Sequence, residues 1–154
     1  MLQAGKKAIN FILKDKDGKE HFLSDMKTKY TVLYFYPKDD TPGCTLEAIE
    51  FTSKLPELKK LGASVVGISG GDEKTKKKFC EKHDLGVLLL SDTHFETSKK
   101  YGVYGEKHFM GRKYDGIFRT TFILDKDHKI VHVFESVKPE GHAMEVLSFL
   151  KSKK

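Results

Sequence analysis

Residues 33–51, LYFYPKDDTPGCTLEAIEF, run from an apolar strand through Pro37, two acids and a Pro42-Gly43 pair into a cysteine, Cys44, at a predicted helix start. A thiol is a poor nucleophile until it ionises. The unpaired N–H groups and partial positive charge of a helix's first turn favour the thiolate. The C-terminal end of a buried strand is also where α/β proteins place their chemistry. Pro37 and Pro42 fix the turn, and Gly43 allows a close backbone approach. Thr41 offers a hydroxyl to the sulfur or to a bound reactant. These residue types in this order point to an activated cysteine.

Asp39 and Asp40 oppose that reading, because nearby negative charge disfavours a thiolate unless the carboxylates turn to solvent. Arg119, within GIFRTTFIL, is the candidate counterweight. A permanent charge inside an apolar strand is expensive unless it meets an anion; the alternative is an edge strand with Arg119 in water. The second cysteine, Cys80, stands in KKKFCEKH, and there is no C-x-x-C. Two cysteines cannot make a disulfide framework or a four-ligand zinc site; they are either unrelated thiols or a transient redox couple.

The elements that must position these groups alternate along the chain. AINFILKDKDGKEHFL reads as an N-terminal hairpin turning at residues 15–18. YTVLYFY and ASVVGIS read as central strands covered on both faces. Helical spacing resumes at Cys44, with Pro56 expected to kink this segment or start a second helix. GGDEKTKKKFCEKHDLG is a lysine-rich helix capped by Asp72 or a neighbour and stopped by Gly86. VLLLSD is a short strand, HFETSKKYG a short helix, and residues 102–116 an aromatic, glycine-rich loop that could wall a pocket. A hairpin turning at residues 125–129 and the amphipathic GHAMEVLSFLKS complete the chain. At 154 residues, without repeat or composition break, this predicts one domain, 1–154, of α/β class with a mixed sheet flanked by helices.

P-x-x-x-T-x-x-C, filled by Pro37, Thr41 and Cys44 within FYPKDDTPGCTLE, resembles the peroxidatic motif of the peroxiredoxins. GVYGEKHFMGRKYDGIFRTTFILD and the chain length are similar to the bacterioferritin comigratory protein, or peroxiredoxin Q, subfamily. The resemblance implies a thioredoxin-like fold and reduction of hydrogen peroxide and alkyl hydroperoxides, with no cofactor and no metal. It makes Cys44 the peroxidatic cysteine, Thr41 its hydrogen-bonding partner and Pro37 a shield of the pocket. Arg119 then matches the arginine that stabilises the thiolate and orients peroxide, and Glu47 the acid that holds that arginine. Many members carry the resolving cysteine five positions on, where this chain has Ile49. Cys80 is the remaining candidate, as in members that use a later helix. Thioredoxin is the implied reductant and a monomer the implied state.

A net charge of +6 raises nucleic acid as a partner, but only Arg112 and Arg119 are arginines and the lysines are interleaved with acids. No base-reading or stacking pattern accompanies them, so nucleic-acid binding is not expected. No apolar run reaches a membrane span. No apolar segment of signal-peptide kind follows Lys6 and Lys7, so a cytoplasmic location is expected. His128 and His132 are too far apart on a strand to chelate a metal tightly. Three alternatives stay open: a one-cysteine peroxidase using an external thiol, a cysteine hydrolase pairing Cys44 with His108 or His142, and a non-catalytic binding protein.

Overall fold

The computed structural model describes residues 1–153. Its strands and helices are, in chain order, β1 (Ile12–Lys14), β2 (Glu20–Phe22), β3 (Tyr30–Phe35), α1 (Pro42–Lys60), β4 (Ala63–Ser69), α2 (Glu73–His83), β5 (Leu88–Ser91), α3 (Glu96–Lys100), β6 (Tyr104–Phe109), β7 (Arg112–Ile117), β8 (Thr120–Leu124), β9 (Ile130–Phe134) and α4 (His142–Lys151). The β-branched and aromatic run at 30–36 becomes the central strand because both its faces are covered. Val32, Tyr34 and Tyr36 enter one apolar core, Leu33 and Phe35 the other.

β3 pairs in parallel with β4, which pairs in parallel with β5. On its other side β3 pairs antiparallel with β8, and β8 with β9. The β1–β2 hairpin adds antiparallel to β5, giving the order β2-β1-β5-β4-β3-β8-β9. This is the expected mixed sheet with an N-terminal hairpin. The β1–β2 and β8–β9 turns use one device: the carboxylates of Asp15 and Asp125 each accept two backbone N–H groups of the turn that follows.

The first core is closed by α1 through Cys44, Ala48, Phe51 and Leu58, by α2 through Phe79 and Cys80, and by α4 through Val146, Leu147 and Leu150. The opposite core is closed by Phe11, Leu23, Tyr101 and Val103. Asp72 caps α2 as expected, its Oδ1 accepting the Thr75 N–H at 2.9 Å. Chain reversal after α2 falls on Asp84, which is in the left-handed region (φ 51°), two residues before Gly86.

Three expectations are corrected. First, α1 runs unbroken through Pro56. The exposed ring replaces one N–H on the solvent side, and packing of Phe51 and Leu58 on either side holds the helix together. Second, residues 104–117 form a two-stranded hairpin, β6–β7, instead of a loop. Its turn is Met110-Gly111, both at positive φ (51° and 78°), the pattern of a two-residue hairpin turn. Third, Arg119 is not inside a strand: it occupies the two-residue join between β7 and β8, where the ladder is interrupted and the side chain is free to turn inward.

Candidate active site

β3 delivers the chain to a loop at 36–41 that is fixed by its own side chains. The Tyr36 hydroxyl donates to Asp39 Oδ1 at 2.5 Å, and the Thr41 hydroxyl donates to the Lys38 carbonyl at 2.9 Å. Pro37 is half-buried between them. Thr41 is the extended N-cap of α1, and its carbonyl accepts from Thr45 N at 2.8 Å. Its hydroxyl proton therefore lies on the loop, leaving the oxygen's remaining lone pair to face a donor. Pro42 occupies the first helical position, where a missing N–H costs nothing. Cys44 follows in the first turn, with 1% of its surface exposed.

Arg119 reaches this turn from just before β8, the strand beside β3. Its backbone carbonyl accepts from Val137 N at 3.1 Å, which fastens the β7–β8 join to the 135–141 loop. Its guanidinium donates to Glu47 Oε1 at 2.7 Å. Gly43 makes the approach possible. A Cβ there would stand 3.1 Å from the Pro139 ring and 3.3 Å from Arg119 Nη2, so the absent side chain is the space the guanidinium uses. Burial works against the guanidinium's charge, but Cys44 and Glu47 outweigh it and hold Arg119 above the ordinary arginine range. Glu47 is fully buried, and its Oε2 has no partner among the described residues. Burial pushes its carboxyl up to about 7, against the pull of Arg119.

Of the two loop acids, Asp39 has its side chain buried against α2 and Asp40 is exposed, and both are paired with groups of α2. Asp39 accepts from Lys76 Nζ at 3.1 Å and from the Thr75 hydroxyl at 2.9 Å. Lys76 is fully buried and also donates to Ser69 Oγ at 2.7 Å and the Gly71 carbonyl at 3.1 Å. Asp40 takes Lys82 Nζ at 3.0 Å and His83 Nε2 at 2.9 Å. Both carboxylates are thus neutralised by α2, the helix that carries Cys80. Cys80 is a free thiol like Cys44, and 6% exposed. Burial pushes that thiol above its ordinary range. A cavity of ≈ 200 Å³ lined by Lys16, Cys80 and Val87 opens beside it. The two larger clefts are lined by neither cysteine.

Sequence reasoning overlooked two groups here. The Tyr34 hydroxyl is buried without a hydrogen-bond partner among the described residues, and burial, Glu47 and then both cysteines drive its ionisation well above the ordinary tyrosine range. Its aromatic neighbours gave no sign of that position. Lys107, on β6, sends its ammonium back to the Ile117 carbonyl at 2.9 Å, at the root of the hairpin from which Arg119 emerges. The paired glycines of YGEK and YDGIFR were the available signal.

His142 is committed elsewhere: Nε2 meets Thr121 Oγ1 at 2.7 Å and Nδ1 meets Glu145 Oε1 at 2.8 Å. His108 is exposed on the hairpin. Neither is placed to serve Cys44 as a base. Among the described residues no group of three or more potential ligands is arranged to hold a metal ion, and no helix is long and apolar enough to cross a membrane.

A buried cysteine in the first turn of a helix, backed by a carboxylate-held arginine on a sheet of this topology, defines a thiol-dependent peroxidase. A model of the AhpC/TSA family matches residues 4–133, and the chain belongs to that family as a peroxiredoxin of the bacterioferritin comigratory protein, or PrxQ, kind. It is 44% identical over 150 residues to the peroxiredoxin Bcp of Escherichia coli (strain K12), with 97% of this chain and 96% of that one covered. It is 40% identical, over the same shares, to the peroxiredoxin Bcp of Bacillus subtilis (strain 168). Among solved structures, a cysteine-to-serine mutant of PrxQ from Xylella fastidiosa superposes with a TM-score of 0.93 at 35% identity, covering 99% of this chain and 98% of that chain. The Xanthomonas campestris bacterioferritin comigratory protein, studied for alkyl peroxide reduction, gives 0.86 at 35%, covering 93% and 91%. The fold is the thioredoxin fold of those peroxiredoxins.

Proposed function

We propose that this protein, as one domain, reduces hydrogen peroxide and alkyl hydroperoxides at Cys44 and resolves the product with Cys80. The observation that carries the reading is the guanidinium of Arg119, held by buried Glu47 at 2.7 Å and set against Gly43, the residue before Cys44. Cys44 gives up its proton, its thiolate attacks one peroxide oxygen, the O–O bond breaks, and the leaving oxygen takes up one proton to depart as water or an alcohol. Sulfur is oxidised to the sulfenic acid and the peroxide is reduced. Arg119 and the first-turn N–H groups of α1 are the groups that steady charge along that line, the Thr41 oxygen accepts from the peroxide O–H, and Pro37 shields the site.

A sulfenic acid is reversible only if a thiol meets it before a second peroxide. Ile49 excludes the resolving position in α1 and lies on that helix's exposed side. Support for Cys80 is that it is a free thiol in the same core as Cys44, with Tyr34 close to both. Attack of Cys80 on the Cys44 sulfur releases water and forms a disulfide, which a thioredoxin dithiol then reduces. Free thiols suit the reducing cytoplasm, and the protein is read as a monomer there.

Intact mass after one equivalent of hydrogen peroxide, with Cys44→Ser and Cys80→Ser in parallel, tests the reading. Loss of two hydrogens with a Cys44–Cys80 linked peptide, absent from both variants, is expected. One added oxygen on Cys44 without a link would make it a one-cysteine peroxidase served by an external thiol. An unmodified Cys44 would end the assignment of the site.

A further inference from the structure

The β6–β7 hairpin sorts its side chains by kind. Cross-strand pairs alternate in facing, so Phe109–Arg112, Lys107–Tyr114 and Gly105–Gly116 share one face, while His108–Lys113, Glu106–Asp115 and Tyr104–Ile117 share the other. The first face carries no acid. Phe118 extends it at the root: a Cβ on Gly105 would stand 3.2 Å from that ring, and one on Gly116 would stand 3.5 Å from the ring of Tyr114. Phe118, Tyr114 and Phe109 thus follow one another toward the Met110-Gly111 turn with rising exposure, 38%, 47% and 65%, and Met110 itself is 86% exposed. No other large apolar side chain among the described residues is as open as Phe109 and Met110. Arg112 and Lys113 stand directly behind them, one on each face and both exposed, and among the described residues no carboxylate pairs with either. Lys107 does not join them, because its ammonium folds back to the Ile117 carbonyl. The acids Glu106 and Asp115 lie further from the turn, on the face away from the aromatic rings.

We propose that the tip of this hairpin docks on an anionic phospholipid bilayer, with Phe109 and Met110 entering the acyl boundary and Arg112 and Lys113 meeting the headgroup phosphates. Charge sets the sign of the partner: an unpaired basic collar on a chain of net charge +6 is drawn to an anionic surface. Shape sets its kind. A two-residue turn is a narrow wedge, and it covers far less than the roughly 800 Å² per partner that a specific protein interface buries. A bilayer needs no matching pocket, and it receives apolar side chains bordered by aromatic and basic ones. The anchor is shallow and reversible, because two apolar side chains bury less than one acyl chain, which by itself holds a protein only marginally. Docking is independent of the chemistry at Cys44.

The chain contains no tryptophan, so Phe109→Trp places a single fluorescent reporter at the tip. Protein is mixed with vesicles of phosphatidylcholine alone, or of phosphatidylcholine with an equal part of phosphatidylglycerol, and read by co-sedimentation and by reporter emission with brominated lipid as quencher. Anionic vesicles are expected to sediment the wild type, to shift the reporter to the blue and to expose it to the quencher, all less so as salt is added. Arg112→Gln and Lys113→Gln should each weaken sedimentation about fivefold, and Phe109→Ser with Met110→Ser should abolish it. Lys77→Gln with Lys78→Gln, which removes as much charge from the exposed side of α2, should leave it within about twofold of wild type; circular dichroism checks that every variant folds. Failure of anionic vesicles to sediment the protein at low salt overturns the proposal. Sedimentation without a blue shift, or weakened equally by the α2 pair, also overturns it and signifies diffuse attraction of charge. A blue shift that grows with protein concentration in the absence of lipid gives the tip to a second copy of the chain, and one matched by polyglutamate gives it to an acidic polypeptide; either result overturns the bilayer. Cys44→Ser should bind vesicles as wild type does, which keeps this outcome separate from that of the peroxide assay.

Discussion

At the scale of single residues, the proposed site divides the work at Cys44 between Arg119 and Glu47. In that proposal Arg119 supplies a donor where charge changes during O–O cleavage, and removing one such donor costs about 10²–10³ in rate. Arg119→Met is therefore expected to cut the second-order rate with hydrogen peroxide by about that factor while the far-ultraviolet spectrum is unchanged; a rate within twofold of wild type would remove Arg119 from the site. Glu47 is a buried acid whose ionised form the fold disfavours, so its pKa in the folded state, about 7, lies above the ordinary 4.5. Between those values the native protein takes up a proton that the unfolded chain does not, so this group adds stability as pH falls from 7 toward 4.5 and withdraws it as pH rises. His142 acts in the opposite sense, because burial lowers its pKa and its contribution is lost as pH falls. Comparing wild type with Glu47→Gln isolates the first effect: the difference in unfolding free energy should slope downward with rising pH across that window. Parallel curves would show that Glu47 stays ionised throughout.

At the scale of elements, α2 holds the active-site loop. Lys76 and Asp39 form a buried pair, with Thr75, Ser69 and Tyr36 completing the network, and Asp40 adds an outer contact to Lys82 and His83. Lys76→Met leaves Asp39 buried without its counter-charge and is expected to cost about 3 kcal/mol, roughly 6–12 °C in Tm for a chain of this size. If Cys80 resolves and its α-carbon does not already stand within disulfide distance of that of Cys44, α2 and the first turn of α1 must loosen to bring the sulfurs together. The same variant should then close the Cys44–Cys80 disulfide faster than wild type in stopped flow; slower closure would mean that the pair guides α2 instead of restraining it. In α1, Pro56→Ala restores an N–H for the Thr52 carbonyl and relieves a helix-interior proline. An increase of about 1–3 kcal/mol is expected, within the cost of proline in a helix, read as a higher Tm by calorimetry.

At the scale of the whole molecule, the sheet order follows from runs that the sequence displays openly, because strands covered on both faces are continuous in apolar residues. The turn, the helix start and Cys44 were legible for the same local reason: proline, glycine and cap positions act over a few residues. Three features were not. The β6–β7 hairpin hides its alternation among exposed lysines and aromatics, and only Met110-Gly111 marks it. Pro56 obeys tertiary packing over local preference. The partners of Asp39 and Asp40 come from a helix more than thirty residues away, which no spacing rule reveals. Sequence reasoning therefore treated these acids as a hazard when their charge is answered by α2. A monomer of 17.5 kDa is the expected species in light scattering; a concentration-dependent dimer would assign the exposed hairpin tip, with Phe109 and Met110, to a subunit contact.

The near-complete burial of both sulfurs has a consequence for chemical selectivity in a crowded cell. With 1% of Cys44 and 6% of Cys80 exposed, the resting protein is a sieve. Burial of this degree keeps bulky electrophiles and other proteins' thiols from the sulfurs by size before any question of reactivity arises. Part of the protein's discrimination is then set by shape, and it lapses during the moments when the fold opens.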